Sequence, residues 1–337
     1  MTTILLSEAD LQAVRRFNRK LARLPRFKIR NRFTPRVGQA LLRLSQLGAD
    51  RKLRRRGIRP EQLVAAADGL RVPLRVLRPA GAPRAVVLDI HGGGWVIGNA
   101  RMDDVHNAAL VEHCQVAVVS VDYRLLIKAS LQDAMDDCLA AARWLLGAAP
   151  EFAGLPAGLP TGLPIFVLGE SAGAHLAATV LLRLRDEAAL FARIAGAVLY
   201  YGVYDLAGTP SVHTAGPDTL VLDGPGMADA LRLLTPSCSD AERRQPPRSP
   251  LYGDLHGMPP ALLYAGERDP LRDDTLLLAE RWRAVAAAEL HLLPEAPHGF
   301  LHFPTPLATL VPARTHAWLC ERIGAWQAAP TVRATPL

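Results

Sequence analysis

The sequence predicts an α/β fold built on a mainly parallel β-sheet. From about residue 62 onward, short apolar segments alternate with longer segments that have helical spacing. The short segments are apolar almost throughout, as expected for strands that helices cover on both faces. The chain has 337 residues, half of them hydrophobic. That length suffices for one large domain with an insertion, or for two small domains.

The N-terminal segment is predicted to be helical. Ser7 can cap a first helix, and Asp10, three positions later, completes a capping box. Apolar residues then follow at helical spacing: Leu11, Val14, Phe17, Leu21 and Leu24. A second helix is predicted to begin at Thr34-Pro35 and to continue to Gly48.

Beyond this segment, strands and helices are predicted to alternate along the chain. Strands are predicted over residues 70–77, 85–91, 116–121, 165–169, 194–200, 261–266 and 290–293. Helices are predicted over residues 133–147, 171–186, 274–288 and 313–327.

Two segments interrupt the alternation. Residues 150–164 contain three Gly-Leu-Pro repeats, which predict a stiff surface loop. Residues 205–250 are rich in Pro, Gly, Asp and Arg, with one helix predicted near 227–234. An insertion of this kind after a core strand is typical of a lid over a site.

The charge of the chain is divided unevenly. Residues 1–60 contain 17 Lys/Arg and 3 Asp/Glu, whereas the remainder contains 22 and 29. We expect this basic segment to form a cap whose basic face is solvated. Weak contact with an anionic membrane is the alternative. Nucleic-acid binding is not expected, because aromatic residues do not interleave the basic ones.

The cysteines and the N-terminal residues indicate the cellular compartment. The four cysteines, Cys114, Cys138, Cys238 and Cys320, lie far apart and are expected to be reduced thiols of a cytoplasmic protein. The first ten residues lack the basic and apolar regions of a signal peptide. No apolar run approaches the 18 or so residues of a transmembrane helix.

Two glycine-rich motifs indicate the chemistry. His91-Gly-Gly-Gly-Trp95 offers backbone N–H groups that no side chain shields, as a developing oxyanion requires. Gly169-Glu-Ser-Ala-Gly173 follows an apolar strand and precedes a strong helix former. This is the context of a nucleophile elbow, which lifts a serine hydroxyl clear of the sheet. The two motifs together predict a serine hydrolase, with Ser171 as nucleophile and the Ala172 N–H available to an oxyanion.

A serine nucleophile needs a base, and His298 is the favoured histidine. It lies beside a glycine in a turn-rich loop after the last predicted strand, from which it can approach Ser171. Two other histidines remain as alternatives, His302 and His291. His175 follows Ser171 by one helical turn, where packing or hydrogen bonding is expected, and His91 is expected to bond to the backbone of the glycine loop.

Besides the serine and the histidine, the site needs a carboxylate that orients the imidazole, and Asp269 is the favoured candidate. It directly follows a predicted core strand, and the 29 residues before His298 suffice for one helix and one strand. Asp273 and Asp274 are alternatives, although they resemble the first turn of the next helix. The resulting chain order is Ser, Asp, His.

With these residues the sequence resembles the hormone-sensitive-lipase-like (bacterial family IV) esterases of the α/β-hydrolase superfamily. The matching stretches span most of residues 65–325: 91–95, 120–125, 169–173, 269–272 and 298–300. The resemblance implies a mostly parallel eight-stranded sheet flanked by helices, with a helical cap. It implies a cap segment over residues 1–60, a core over 61–204, an inserted cap segment over 205–250 and the rest of the core over 251–337.

The resemblance also implies the chemistry. Carboxylic esters are hydrolysed through an acyl-enzyme, with Ser171 as nucleophile, His298 as general acid/base and Asp269 as its partner. The oxyanion hole is formed by the N–H groups of Gly93, Gly94 and Ala172; the residues alone do not exclude Gly92. No metal or organic cofactor is needed, and the expected substrates are short- to medium-chain esters. An amidase or arylformamidase, and a non-catalytic ligand-binding protein, are the alternatives; the oligomeric state, a homodimer included, stays open.

The sequence departs from the family pattern at two places. Leu126-Ile-Lys-Ala-Ser130 stands where the family continues with Ala-Pro-Glu, so this loop and the substrate preference are expected to differ. Glu170 stands where Asp or Thr is frequent, and its carboxylate is expected to bond within the elbow. Asp122-Tyr123-Arg124 matches a family motif that is interpreted as scaffold.

Overall fold

The centre of the molecule is one β-sheet, described by a computed structural model that covers residues 4–28, 34–147 and 162–328. Its strands are β1 (Arg59–Ala67), β2 (Leu70–Arg78), β3 (Val86–Ile90), β4 (Ala117–Val121), β5 (Ile165–Glu170), β6 (Ile194–Tyr200), β7 (Ala261–Gly266) and β8 (Ala288–Leu293). They are arranged in the order β1-β2-β4-β3-β5-β6-β7-β8.

The sheet is parallel except at one edge. β1 pairs antiparallel with β2, and β2 antiparallel with β4; all other neighbours are parallel. Strands β3, β4, β5 and β7 are buried along their whole length. This is the burial of a sheet covered on both faces, and it confirms the predicted fold class.

Helices cover both faces of this sheet. The helices are α1 (Glu8–Leu21), α2 (Thr34–Ser45), α3 (Ala49–Arg55), α4 (Asp104–Cys114), α5 (Leu131–Leu146), α6 (Ala172–Leu184), α7 (Ala188–Phe191), α8 (Pro210–His213), α9 (Met227–Leu234), α10 (Asp240–Arg243), α11 (Arg272–Arg283) and α12 (Leu307–Ala328). Apolar residues of α5, α6 and α11 pack with one set of strand residues, such as Leu88. Those of α4 and α12 pack with the alternating set, such as Val87. Among the described residues, no helix is long and apolar enough to cross a bilayer.

The N-terminal segment contacts the segment that follows β6. The predicted capping box of α1 is present, with Ser7 and Asp10 each bonded to the other's backbone N–H. Farther along, the Phe27 N–H donates to the Val221 carbonyl at 2.6 Å. Lys28 pairs with Asp223, its Nζ lying 2.9 Å from the carboxylate. These contacts bring residues 26–28 and 219–223 together at one end of the sheet.

Six elements of the structure were not predicted: strand β1 and the helices α3, α4, α7, α8 and α10. Strand β1 has a single buried residue, Ala65, because it lies at the edge of the sheet, so it lacks the apolar run used to predict strands. Helix α4 buries Asp104 and Asn107 and leaves Val105 exposed, which reverses the usual pattern. The reason is polar pairing: Asp104 accepts two hydrogen bonds from Arg75.

Several predicted helix boundaries were wrong. Helix α12 begins at Leu307 rather than at residue 313. Pro312 lies inside the helix, whose first turns are held by Leu307 and Val311, both fully buried. Helix α11 ends at Arg283 rather than at residue 288, where β8 already starts. Most of the Gly-Leu-Pro repeat, residues 148–161, lies outside the described residues.

Candidate active site

The predicted site residues meet at the carboxyl ends of the parallel strands. Ser171 follows β5, Asp269 follows β7 by three residues, and His298 lies in the loop after β8. In an open α/β sheet the carboxyl ends of neighbouring strands form one edge, where ligands bind. The topology therefore explains how three residues far apart in sequence come together.

Ser171 occupies a strained turn between β5 and α6. Its φ of 51° and ψ of −120° lie in a region that non-glycine residues rarely adopt. The turn requires close approach at Gly173, where a Cβ atom would lie 1.9 Å from the Ile90 carbonyl oxygen. This packing against β3 holds the serine at the tip of the turn, as expected of a nucleophile elbow.

Ser171, His298 and Asp269 form a continuous hydrogen-bond chain. The Ser171 Oγ lies 2.9 Å from His298 Nε2, and His298 Nδ1 lies 2.7 Å from Asp269 Oδ2. The other carboxylate oxygen accepts the Leu271 N–H at 2.8 Å. With the proton on Nδ1, the imidazole donates to Asp269 and its Nε2 accepts from the serine hydroxyl. The Asp269 side chain is 1% exposed, so its charge is shielded from water.

The alternative carboxylates have other partners. Asp274 is buried and accepts the Tyr204 and Asp205 N–H groups and the Thr209 hydroxyl. Burial raises the pKa of Asp274 to about 7, against the effect of these donors. Asp273 accepts the N–H of Ser211 at 2.9 Å. Both residues thus fasten the chain that follows β6 onto the start of α11.

The alternative histidines are also occupied elsewhere. His291 bonds to Glu289 at 2.6 Å. His175 is fully buried, and its Nε2 lies 2.8 Å from the Arg248 carbonyl, while its Nδ1 accepts from the Trp95 indole at 3.3 Å. Burial lowers the pKa of His175 to about 4, so the ring stays neutral. His175 therefore packs and bonds as expected.

The glycine loop is held from behind by Tyr123. Its hydroxyl donates to the carbonyls of His91 and Gly92, at 2.9 and 3.2 Å, and its ring stacks on the His91 imidazole. The His91 Nδ1 lies 2.9 Å from the Gly92 carbonyl, as expected of backbone bonding. Gly93 has a φ of 98°, and a Cβ there would lie 2.0 Å from the Ile97 carbonyl oxygen.

The exposed side of this loop faces the serine. Gly93 and Gly94 line the same cavity as Ser171 and His298, whereas Gly92 does not. Within the described residues, the N–H groups of Gly93, Gly94 and Ala172 have no hydrogen-bond acceptor. They are therefore free to donate to a ligand oxygen beside Ser171.

Glu170, next to the nucleophile, bonds outside the elbow rather than within it, which corrects the expectation for this residue. Its carboxylate accepts from the Tyr201 hydroxyl at 2.7 Å and faces His302 Nε2 at 2.9 Å. Burial acts to raise the pKa of Glu170, but the charge and hydrogen bond of His302 outweigh it and lower it to about 2. The charge of Glu170 in turn raises the pKa of His302. This pairing makes His302 a partner of Glu170 and leaves His298 as the only histidine bonded to Ser171 among the described residues.

Tyr201 is a residue of the site that was not among the predicted ones. Its ring lies edge-on to the His298 imidazole, with centroids 4.9 Å apart, and its hydroxyl is held by Glu170. It directly follows β6, just as Ser171 follows β5. Its position after a core strand was the signal that could have identified it.

One group of side chains has the composition of a metal site. Ligand atoms of Asp103, Glu170 and His302 all lie within 4.8 Å of one another, and within the described residues no other such group occurs. Both Glu170 oxygens already accept hydrogen bonds. Burial and the neighbouring carboxylates raise the pKa of Asp103 well above its usual range. The hydrogen bonds described for this group are those that Glu170 makes with Tyr201 and His302, so we interpret it as a polar network around Glu170.

A mainly apolar cavity of about 570 Å³ opens above the hydrogen-bond chain. One wall comes from the glycine loop and the ends of the strands. The opposite wall comes from the N-terminal segment and the chain after β6: Phe27, Lys28, Val221, Leu222, Met227, Leu231, Leu233 and Leu234. A cavity of this size accommodates a small organic ligand.

Comparisons with known proteins agree with this geometry. Residues 87–302 match the α/β-hydrolase fold family. The chain is 33% identical over 268 residues to the carboxylesterase NlhH of Mycobacterium tuberculosis, a match that covers 77% of this chain and 80% of that protein.

Solved structures show the same likeness. The esterase LipW from Mycobacterium marinum matches with a TM-score of 0.75 and 26% identity, over 96% of this chain and 98% of that one. An esterase of the bacterial hormone-sensitive lipase family matches with a TM-score of 0.71 and 26% identity, over 95% and 100%. The chain therefore belongs to the hormone-sensitive-lipase-like carboxylesterase family of the α/β-hydrolase superfamily.

Proposed function

We propose that this protein is a serine carboxylesterase that hydrolyses short- to medium-chain carboxylic esters through an acyl-enzyme intermediate. The observation that carries the proposal is the hydrogen-bond chain Ser171–His298–Asp269 at the floor of an apolar cavity. A histidine ring nitrogen 2.9 Å from a serine hydroxyl is the arrangement of an activated nucleophile.

The reaction has two halves. Ser171 Oγ attacks the ester carbonyl carbon while His298 Nε2 takes the hydroxyl proton, and Asp269 stabilises the imidazolium. Collapse of the tetrahedral intermediate breaks the bond to the alcohol oxygen, which leaves with the proton from Nε2. Water then attacks the acyl-enzyme with the same base, and the carboxylic acid and free serine are released.

The oxyanion is assigned to the N–H groups of Gly93, Gly94 and Ala172. These N–H groups have no other acceptor among the described residues. The position of Gly93 and Gly94 in the cavity wall, which Gly92 does not share, supports this assignment over one that uses Gly92. Loss of one such donor typically lowers kcat by about 10²–10³, or about 3–4 kcal/mol in activation free energy.

The cap is assigned to residues 1–60 and 205–250. The contacts of Phe27 with Val221 and of Lys28 with Asp223 support a cap formed by both segments. Apolar residues from each line the cavity above Ser171, which favours esters with an apolar acyl group. The cap thereby provides substrate contacts, and the sheet provides the reacting groups.

The test of the proposal is Ser171→Ala. We expect it to abolish hydrolysis of p-nitrophenyl butanoate and labelling by a fluorophosphonate, with no change in the thermal unfolding midpoint. Ser45→Ala, at an exposed serine of α2, is the matched control and should keep full activity. Turnover by Ser171→Ala close to that of the wild type would contradict the assignment. Parallel rates on matched butanoyl esters and amides distinguish an esterase from an amidase.

We further propose that helix α2 makes weak contact with an anionic membrane. Its side chains Val37, Leu41 and Leu44 are 62–64% exposed along one face. The same N-terminal segment has exposed cationic residues without ion pairs among the described residues: Arg16, Arg19, Lys20, Arg23, Arg51, Lys52, Arg54 and Arg55. An apolar face together with a basic surface favours adsorption to anionic lipid.

Cosedimentation with phosphatidylserine-containing vesicles tests this contact. The double variant Leu41→Gln/Leu44→Gln should reduce binding severalfold, whereas Leu277→Gln on α11 should not. Vesicles of phosphatidylcholine alone should bind neither the wild type nor the variants. If the double variant instead converts a dimer to a monomer in gel filtration, the face is a contact between two copies of the chain. A cytoplasmic location completes the proposal, and the unpaired thiols of the four cysteines support it.

A further inference from the structure

A second cavity, of about 480 Å³, lies beside the active-site cavity. This volume is within the range of roughly 300–1,000 Å³ typical of ligand sites. Its walls come from the loop before α5, from α5 itself and from the residues after α9. The apolar lining includes Leu126, Ile127, Leu131, Met135, Pro236 and Cys238, and the polar lining includes Ser130, Gln132, Ser237 and Arg248. The mechanism described above gives this cavity no role.

The two cavities share residues of one wall. Leu233 and Leu234, at the end of α9, line both of them. On the opposite side the glycine loop separates them: Trp95 and Ile97 line the active-site cavity and Val96 lines the second cavity. A narrow void lined by Trp95 and Leu234, among others, lies between the two.

The end of α9 fixes the backbone of this wall but not its side chains. Thr235, directly after Leu234, is buried and accepts two hydrogen bonds from Arg243, at 2.7 and 2.9 Å. Leu234 itself is only half-buried. A leucine side chain can exchange rotamers without movement of the backbone that carries it. A change of Leu234 rotamer would therefore alter this wall without movement of α9.

The other wall depends on residues in which this chain departs from its family pattern. Leu126, the first residue of the Leu126–Ser130 loop, donates its N–H to the Trp95 carbonyl at 2.9 Å. The loop is thus attached to the residue that follows the three glycines, and its side chains Leu126 and Ile127 face the second cavity. The cavity is therefore formed in part by a sequence feature of this chain.

We propose that the second cavity receives the distal part of a long alkyl chain, on an ester whose carbonyl group lies at Ser171, with Leu234 as the residue over which the chain passes. The inference rests on the proposed function and extends it from medium to long acyl chains. An alkyl chain is the favoured occupant because the shared wall is apolar and joins this cavity to the site of the reaction. Each methylene transferred from water to such a cavity contributes roughly a fourfold gain in kcat/KM.

The experiment compares p-nitrophenyl esters from butanoyl to hexadecanoyl, in one detergent buffer. Cys238→Trp fills the second cavity from a position that does not line the active-site cavity, and Cys238→Ser is its matched control. We expect Cys238→Trp to lower the ratio of hexadecanoyl to butanoyl kcat/KM at least tenfold relative to Cys238→Ser. Leu234→Ala, which widens the passage, should raise the same ratio.

The outcomes separate this inference from the proposed function. Two results would overturn the inference and leave the esterase assignment intact. One is an unchanged ratio of hexadecanoyl to butanoyl kcat/KM in Cys238→Trp. The other is a wild-type enzyme that hydrolyses the butanoyl ester but no long-chain ester. Absence of hydrolysis at every chain length would overturn the proposed function instead. If Cys238→Trp fails to fold, the Leu234→Ala ratio decides, and a ratio equal to that of the wild type refutes the passage over Leu234.

Discussion

Replacement of Asp269 by Asn tests the proton positions in the proposed catalytic chain. Asp269 Oδ1 accepts the Leu271 N–H at 2.8 Å, and Oδ2 faces His298 Nδ1 at 2.7 Å. An asparagine in this place keeps its oxygen toward Leu271, because its NH₂ group would otherwise face an N–H donor. The NH₂ group then faces His298 Nδ1, which must become the acceptor. The imidazole proton moves to Nε2 as a result.

A proton on Nε2 prevents His298 from accepting the Ser171 proton. Since the hydrogen-bond geometry is otherwise kept, the loss comes from the tautomer rather than from misplacement. In a serine hydrolase with this arrangement the wrong tautomer lowers kcat by about 10⁴, which corresponds to about 5 kcal/mol in activation free energy.

The measurement is kcat for p-nitrophenyl butanoate at neutral pH, with thermal unfolding to show that the variant is folded. Asp273→Asn is the matched control, because this neighbouring carboxylate bonds to Ser211 and not to His298. We expect the control to stay within about fivefold of the wild type, as its bonds are structural. A kcat for Asp269→Asn within tenfold of the wild type would refute the reasoning.

Two further predictions concern the elbow. The pKa of Glu170, about 2 against 4.5 unperturbed, corresponds to about 3 kcal/mol of stability, present above pH 4.5 and lost as the pH falls toward 2. Glu170→Gln should therefore lower the free energy of unfolding, measured in urea, by about 3 kcal/mol at pH 6. Near pH 3 the loss should be much smaller. Equal losses at the two pH values would contradict the assignment of this stability to the Glu170 charge. Gly173→Ala places a Cβ 1.9 Å from the Ile90 carbonyl oxygen, so the serine must shift, and kcat should fall at least 100-fold. Gly324→Ala, with open space around the added atom, is the control and should leave kcat unchanged.

The sequence predicted those elements whose structure follows from a local pattern of apolar residues. Apolar runs predicted the buried strands because a parallel sheet covered on both faces buries every side chain. Ser171 and Asp269 were predicted as site residues because each follows such a strand, and both lie at the carboxyl ends of the parallel strands. His298 could be favoured over His302 because of its turn-rich loop, and the hydrogen bond to Ser171 agrees with that choice.

The sequence was uninformative where distant polar residues pair. The bond between Glu170 and His302 joins positions 132 residues apart, and no local pattern relates them. Helix α4 was missed for the same reason, since its buried Asp104 is compensated by Arg75 on β2. Hydrophobic periodicity describes burial of apolar groups only, so any element held by buried polar pairs escapes it.

The glycine loop contacts both the proposed oxyanion site and the loop that lines the second cavity. From behind, Tyr123 holds the carbonyls of His91 and Gly92, which fixes the N–H groups that face Ser171. A few residues farther along, Leu126 holds the Trp95 carbonyl and forms part of the second cavity. On the proposed assignments, changes in the loop that begins at Leu126 would alter the space for an alkyl chain while Tyr123 keeps the proposed oxyanion donors in place. A site that positions its reacting groups on the rigid sheet can vary its substrate contacts through a loop and a cap.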